Sequence, residues 1–471
     1  MLRVKLLGND CFYGISDVLR LFGGPVSEVR EESEVLCDNI TEDEVEIVVE
    51  IKDGEVYVYK SSEGAKASYR DEFYDAGNPK REIKRQLYKV MTEITGREVP
   101  WGALTGIRPT IPAFEVGDAE TMSRKFFVRK DKSRLAFETG MREREVLSRL
   151  PKDSLNAYVG IPFCPSRCAY CSFVSEDISH HMGRLKEYEA ALEKELGLIG
   201  CKANRKISTL YVGGGTPTVL ENAEFEKLIN AVTTTLAFED GAEITVEAGR
   251  PDTINEYKLR AMRNVGIGRI CINPQTMSDE TLRRFNRKHT AQDVVDVFEM
   301  ARNLGFCNIN MDLIAGLNGE YPEELLESVG KLVDLKPENI TIHTLYKKRR
   351  ASLSKDSVLG NREDSRLDTC LSKAYEMLYK AGYEPYYMYR QKDTSHGLEN
   401  VGFALPGTEC IYNVAMMSDK CDVVAFGAGG MSKRVFEGGR LERCSCIKDV
   451  LGYISSVEQM ADKKLAFYEW V

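Results

Sequence analysis

The chain has 471 residues, 43% hydrophobic and 29% charged, with a formal net charge of −9, the profile of a soluble globular protein large enough for about two or three domains. That acidic balance argues against a broadly basic nucleic-acid surface, and no stretch approaches the roughly 20 apolar residues of a membrane span. The opening MLRVKLLGND is too charged for a secretory signal. The thirteen scattered cysteines suit a reducing, cytoplasmic setting with specialised thiols better than a disulfide framework.

Residues 1–150 are expected to form a separate α+β domain without catalytic residues. Val45–Ile51, the turn pair Asp53-Gly54 and Glu55–Tyr59 predict a β-hairpin. Lys80–Thr95 places Ile83, Leu87, Val90 and Met91 on one helical stripe, and the charged, periodic stretch Arg124–Leu150 is also expected to be helical. Between them Trp101–Pro109 is rich in turn residues and reads as a buried connecting loop, or as a segment packed on a neighbouring domain.

From Leu155 the pattern turns regular. Apolar runs at 155–161, 208–212, 243–247, 268–273, 307–314, 339–345 and 384–389 alternate with helical segments near 184–200, 221–236, 253–265, 290–304, 321–335 and 364–381. Short buried strands alternating with helices predict βαβ units and a parallel sheet. The fold class is α/β: six or seven such units over 151–395 suit a TIM-like barrel, complete or partial, better than an open sheet, and its chemistry should gather at the C-terminal ends of the strands. Residues 396–471 read as a smaller C-terminal element with glycine-rich turns.

The first strand runs into Tyr158-Val-Gly-Ile-Pro-Phe-Cys-Pro-Ser-Arg-Cys-Ala-Tyr-Cys-Ser-Phe173. Cys164, Cys168 and Cys171 offer three thiolates and no fourth. Soft thiolates select iron–sulfur clusters, zinc or copper(I). A structural zinc site closes with four ligands, whereas a cubane held by three cysteines leaves one iron open for chemistry. Zinc and plain buried thiols are the alternatives.

The next strand ends in Gly213-Gly-Gly-Thr-Pro-Thr218, where glycines let a backbone approach a ligand; alone it would be a tight turn. Glu247, Gln275 and Asp312 then bring polar side chains to three further apolar strands, which is costly unless they are paired. Each singly suits a satisfied hydrogen-bond network; together with the glycine loop they suit a ligand site. Arg287 could offer a planar, always-charged fork to a carboxylate, or be a solvated helix-end charge.

These motifs together resemble radical S-adenosylmethionine enzymes of the oxygen-independent coproporphyrinogen III oxidase family, and their combination is most similar to the HemZ-type branch of coproporphyrinogen dehydrogenases. The resemblance spans roughly residues 155–440 and, in that branch, the N-terminal region with Trp101–Pro109. It implies that Cys164, Cys168 and Cys171 hold a 4Fe–4S cluster whose open iron takes the amino nitrogen and carboxylate of S-adenosylmethionine. Tyr158 and Tyr170 match aromatic positions that line the cofactor at the catalytic centre. Gly214, Gly215 and Thr216 would meet its methionine end, Glu247, Gln275 and Asp312 its nucleoside or amino-acid part, and Arg287 its carboxylate. The implied activity is an oxidoreductase of porphyrin and haem biosynthesis. Reductive cleavage of the sulfonium yields a 5′-deoxyadenosyl radical, and two propionates of coproporphyrinogen III become the vinyl groups of protoporphyrinogen IX. The implied partners are a tetrapyrrole and an electron donor such as flavodoxin or ferredoxin, with no nucleic acid and no membrane span.

The chain departs from that pattern in two places. The decarboxylases resembled carry a fourth cysteine where Phe173 stands, and a Tyr-x-His approach that is Tyr158-Val159-Gly160 here. Related proteins with an aromatic at the first place include haem-binding chaperones, so a haem chaperone, or a radical enzyme that methylates or opens haem, is the competing expectation. Lys347-Lys-Arg-Arg350 could hold substrate carboxylates or be a solvated loop. The pair His180–His181 could ligate a metal or lie exposed. Cys410, Cys421, Cys444 and Cys446 could hold a second cluster or be ordinary reduced thiols.

Overall fold

The computed structural model describes residues 2–22, 26–29, 45–52, 55–60, 71–75, 77–171, 176–178, 182–345, 366–391 and 397–470. The chain packs as two compact units, Met1–Gly140 with Tyr389–Glu399, and Met141–Met388 with Asn400–Val471.

The first unit opens with β1 (Leu2–Leu7), α1 (Phe12–Leu19), β2 (Val26–Val29), β3 (Val45–Lys52), β4 (Glu55–Lys60) and α2 (Pro79–Thr95). The strands form a sheet in the order β2-β1-β3-β4. The β3–β4 pair is antiparallel, with Val49 opposite Val58, as the alternation around the turn pair predicts. Val4, Ile47, Val49 and Val58 bury against Ile15 and Leu19 of α1 and Ile83 and Leu87 of α2, each contributing roughly 1.5–3 kcal/mol relative to exposure. Helix α2 starts on the Asn78 cap, whose side chain accepts from the Arg81 amide, with Pro79 at its first position, and stops at Gly96 in the left-handed region. α3 (Thr110–Val116), α4 (Ala119–Phe126) and α5 (Lys130–Ser148) follow. Trp101 is buried, its Nε1 donating to Glu399 Oε2 at 2.8 Å, while Lys132 Nζ holds the other carboxylate oxygen at 2.5 Å.

The second unit carries the regular repeat: β5 (Leu155–Ile161), a short pair β6 (Phe163–Cys164) and β7 (Glu176–Asp177), α6 (Met182–Gly200), β8 (Ile207–Gly214), α7 (Asn222–Thr235), β9 (Phe238–Gly249), α8 (Glu256–Asn264), β10 (Arg269–Ile272), α9 (Asp279–Arg284), α10 (Ala291–Asn303), β11 (Asn308–Ala315), α11 (Pro322–Leu335), β12 (Asn339–Thr344), α12 (Arg366–Lys380) and β13 (Glu384–Arg390). β5, β8, β9, β10, β11 and β12 lie side by side in chain order, every pair parallel. This is a partial (β/α)6 barrel. The strands β5 and β8 are buried on both faces, as parallel strands covered by helices must be. Polar side chains at alternate positions meet across neighbouring strands: Thr209 donates to Asn156 at 2.7 Å, and Thr341 to Asn310 at 3.1 Å.

Two features differ from the sequence expectation. The run 384–389 is β13, yet it does not follow β12 in the sheet, because β14 (Glu399–Ala404) lies between them and pairs antiparallel with β12. Residues 396–471 hold more than turns: α13 (Ile411–Met417), β15 (Asp422–Phe426), β16 (Met431–Val435), β17 (Leu441–Ser445), α14 (Val450–Ser455) and α15 (Val457–Tyr468). β15 pairs in parallel with β5, placing Ala425 opposite Tyr158. Strands of five residues between glycines carry too short an alternation to stand out from loop. On α6 the buried Glu195 carboxylate gathers the Lys464 ammonium, the Tyr453 hydroxyl and the Gly427 amide, tying the C-terminal helices to the barrel. No helix among the described residues is long and apolar enough to cross a membrane.

Candidate functional site

The cysteine segment leaves the C-terminal end of β5, where barrel chemistry is expected. Its backbone is clamped onto the glycine loop that ends β8: the Gly215 amide donates to Ile161 C=O at 2.8 Å and the Thr216 amide to Phe163 C=O at 2.7 Å. A side chain at Gly215 would stand 2.4 Å from Phe163 O, and one at Gly213 would stand 2.5 Å from Glu247 Oε2. Gly215 is thus required by close packing of backbone on backbone, whereas a side chain at Gly213 would displace the Glu247 carboxylate. Thr216 Oγ1 donates to Cys164 Sγ at 3.6 Å, and the Cys171 amide closes a turn onto Cys168 C=O at 3.0 Å.

Arg287, from the turn after α9, approaches the segment from the other side. It is 6% exposed. Its Nη1 lies 2.9 Å from the Tyr170 hydroxyl and 3.8 Å from Cys168 Sγ, and its Nη2 donates to Asn273 C=O at 2.6 Å. Tyr170 packs on Phe285 with ring centroids 5.5 Å apart, within a small apolar cluster of Phe285, Ile314, Leu317 and Leu345.

The carboxylates come from strand ends. Glu247 accepts the Gly214 amide at 3.2 Å. Burial, then the nearby Asp312 charge, pushes the Glu247 carboxyl up to about 7. Asp312 accepts from Asn310 Nδ2 at 2.7 Å and stands 3.8 Å from His343 Nε2. Gln275 has a φ of +70°, held there by an isolated bridge in which its amide donates to Asp312 C=O and its carbonyl accepts from the Ile314 amide, both 2.8 Å. A left-handed glutamine is strain that only surrounding structure sustains. Burial, reinforced by Glu247, lifts the Tyr158 hydroxyl well above its ordinary range, and burial does the same to Tyr170 against the opposing Arg287 charge. Both remain neutral phenols at physiological pH.

The structure therefore brings together the Cys164–Cys171 segment, Tyr170, Gly214, Gly215, Thr216 and Arg287. Glu247, Gln275 and Asp312 stand linked through one another, with Tyr158 beside Glu247. Gln275 Oε1, Asn273 Oδ1, Arg287 Nε and His289 Nε2 are buried without a hydrogen-bond partner, and such orphaned atoms mark a place for an absent polar group. Among the described residues no three His, Cys, Asp or Glu side chains are arranged to hold a single metal ion. A cubane asks for a different arrangement, with each thiolate on its own iron. Three cysteines on one loop, none in a disulfide, flanked by a hydroxyl donor and a guanidinium, match such a donor set.

Sequence reasoning missed several residues. Arg250, Asp252, Asn273 and His289 look like turn and helix-end residues in the chain. His343 sits in an apolar strand, and Tyr211, whose hydroxyl lies 3.6 Å from Cys271 Sγ and whose ring stacks on Tyr412, reads as core. The one local signal was an arginine set between glycine and proline, Gly249-Arg250-Pro251, just past an apolar run. The Cys410 thiol donates to Glu243 at 3.4 Å, in a polar network with Arg269. Phe173, His180, His181 and Lys347–Arg350 lie outside the described residues.

Comparison with known proteins places these features in context. The chain matches the Radical SAM superfamily over residues 158–332. It is 36% identical over 397 residues to the oxygen-independent coproporphyrinogen-III oxidase-like protein HemZ of Bacillus subtilis, covering 80% of this chain and 78% of that protein. It is also 26% identical over 305 residues to the heme chaperone HemW of Escherichia coli, covering 64% of this chain and 75% of that one. The solved structure of coproporphyrinogen III oxidase (HemN) from Escherichia coli shares the fold, with a TM-score of 0.51, 22% identity and coverage of 69% and 73%.

Proposed function

We propose that this chain, which belongs to the oxygen-independent coproporphyrinogen III oxidase-like family of radical S-adenosylmethionine proteins, is an oxidoreductase that decarboxylates coproporphyrinogen III propionates to vinyl groups. The observation that carries the reading is a three-cysteine loop clamped onto a glycine loop with the buried Arg287 fork beside it, joined to 36% identity along 80% of the chain with HemZ. The family's cofactors are a 4Fe–4S cluster and S-adenosylmethionine, and when bound they supply a 5′-deoxyadenosyl radical that takes hydrogen from the substrate.

The remaining roles fall to the chain's own groups. Cys164, Cys168 and Cys171 hold the cluster. Arg287 offers its free Nε–H to a carboxylate. Gly214 and Gly215 give the loop a close path past Tyr158, Ile161 and Phe163 that a side chain would obstruct, and Thr216 holds its hydroxyl on Cys164 Sγ. Gln275 and Asp312 supply acceptors for hydroxyl or amino donors, and Glu247 accepts or donates according to its proton. Tyr158 and Tyr170, as neutral phenols, line the pocket and keep water from it. An electron-donor protein such as flavodoxin or ferredoxin supplies one electron per round, and a separate one-electron acceptor takes the electron that the substrate gives up as it releases carbon dioxide and forms the vinyl group.

The second reading, a haem chaperone, is favoured by the HemW similarity together with Phe173 in place of a fourth cysteine. Anaerobic incubation of the reconstituted protein with reductant, S-adenosylmethionine and coproporphyrinogen III separates the two by mass. Loss of two carbon dioxides supports decarboxylation. Formation of 5′-deoxyadenosine without a porphyrin product sinks it, and tight haem binding with neither product favours the chaperone.

A further inference from the structure

We infer that Arg250 is a positioning residue that fixes the cysteine segment in its ligand-presenting shape before any cluster arrives. The inference rests on the reading of Cys164, Cys168 and Cys171 as cluster ligands and assigns a role outside that set. Arg250 sits on the turn that leaves β9 and is 3% exposed. Its Nη1 donates to Ser166 twice, to Oγ at 2.8 Å and to the carbonyl at 3.3 Å. Ser166 is the midpoint of Cys164-Pro-Ser-Arg-Cys168. The rest of the fork is engaged by Asp252, with Nε to Oδ1 at 3.0 Å and Nη2 to Oδ2 at 2.9 Å.

A planar fork with one edge on a carboxylate and the other on a loop is an aiming device. Burying a guanidinium is unfavourable unless it is paired, and here the pairing leaves one nitrogen committed to Ser166. The turn carrying Arg287 holds the same point, because Ser166 Oγ also donates to Asn286 C=O at 3.4 Å. His289 backs the pair, with Nδ1 3.7 Å from Asp252 Oδ1. Two buried arginines from consecutive barrel loops therefore grip one short segment, Arg250 at Ser166 and Arg287 at Cys168 and Tyr170. Groups that orient metal ligands from outside the ligand set are typically worth about 10–100-fold in metal affinity, because loose ligands must be ordered on binding.

The test compares wild-type protein with Arg250→Gln, Arg250→Lys and Ser166→Ala. In metal-free, reduced protein, alkylation of each cysteine is followed by mass spectrometry, with exposed Cys201 and Cys307 as internal controls. Arg250→Gln should speed alkylation of buried Cys168 severalfold and leave the two controls unchanged. After reconstitution it should lose iron to a chelator about 10–100-fold faster. Arg250→Lys, which keeps the charge but loses the planar fork, should fall between. Unchanged Cys168 alkylation and iron loss in a folded Arg250→Gln protein overturn the inference. If that variant does not fold, Ser166→Ala, which removes the hydroxyl alone, must shift both rates in the same direction, and unchanged rates overturn the inference equally. Wild-type protein that takes up no iron–sulfur cluster sinks the cluster reading, while the alkylation comparison still decides the part played by Arg250.

Discussion

Tyr170 and Arg287, 117 residues apart in sequence, meet through a 2.9 Å hydrogen bond from the guanidinium to the phenol. The same nitrogen faces Cys168, so the buried cation is set where anionic sulfur and an anionic ligand would gather.

Arg287→Gln should unfasten that corner. It leaves the Tyr170 hydroxyl and the Asn273 carbonyl short of a donor, a loss of about 1–3 kcal/mol for buried groups. Urea titration of the metal-free protein reads this directly. Calorimetric titration with S-adenosylmethionine should show at least tenfold weaker binding in the loaded variant, and equal binding would remove Arg287 from the cofactor site.

Cys168→Ala should abolish most cluster iron and all cleavage of S-adenosylmethionine. Iron content and 5′-deoxyadenosine by chromatography measure the two losses. Continued cleavage would show that the ligand set is wrong.

Glu247 sets a pH dependence with a definite sign. Burial and Asp312 raise its carboxyl from 4.5 to about 7. Between those values the folded chain keeps a proton that the unfolded chain has released, so stability falls as pH rises through that window and levels off above it. Glu189 and Glu320 are also raised to about 7, so the difference from Glu247→Gln isolates the single group. That variant should gain on the order of 1–3 kcal/mol over wild type at pH 8 and converge with it near pH 4.5. Thermal melts of metal-free protein across that range give the comparison, and a pH-independent difference would contradict the assignment.

Two glycine substitutions should move in opposite directions. Gly197 lies in α6 with nothing within 4 Å of an added Cβ, so Gly197→Ala should stabilise by about 0.5–1 kcal/mol. At Gly215 the new atom meets Phe163 O at 2.4 Å and Ile161 O at 2.8 Å, so Gly215→Ala must push the cysteine segment off β8. Lower melting temperature and reduced cluster uptake are expected together; a normal cluster content would argue that the clamp is dispensable.

The barrel was legible because its strands are continuous apolar runs separated by long amphipathic helices, so that β5, β8, β9, β10, β11 and β12 could be placed in order. The cysteine and glycine loops stood out by residue type and spacing. What stayed hidden depends on distant pairing. β14 and β15 are short and find their neighbours across the sheet. Arg250 and His289 acquire meaning only when Ser166 and Asp252 are brought to them. The φ of Gln275 comes from a bridge to Leu313, which no local signal announces.

The pairing of β15 with β5 has a consequence for biogenesis. Asn156 donates to the Asp422 carbonyl, 266 positions further on. At ribosomal rates that separation corresponds to on the order of ten seconds to a minute of translation. Throughout that interval one edge of β5, the strand that launches the cysteine loop, has no partner on that side and is open to adventitious strand addition. Nascent-chain shielding, or swift pairing once residues 422–426 emerge, would then govern how much protein reaches a cluster-ready state, and the yield of loaded protein should respond to translation speed and chaperone supply.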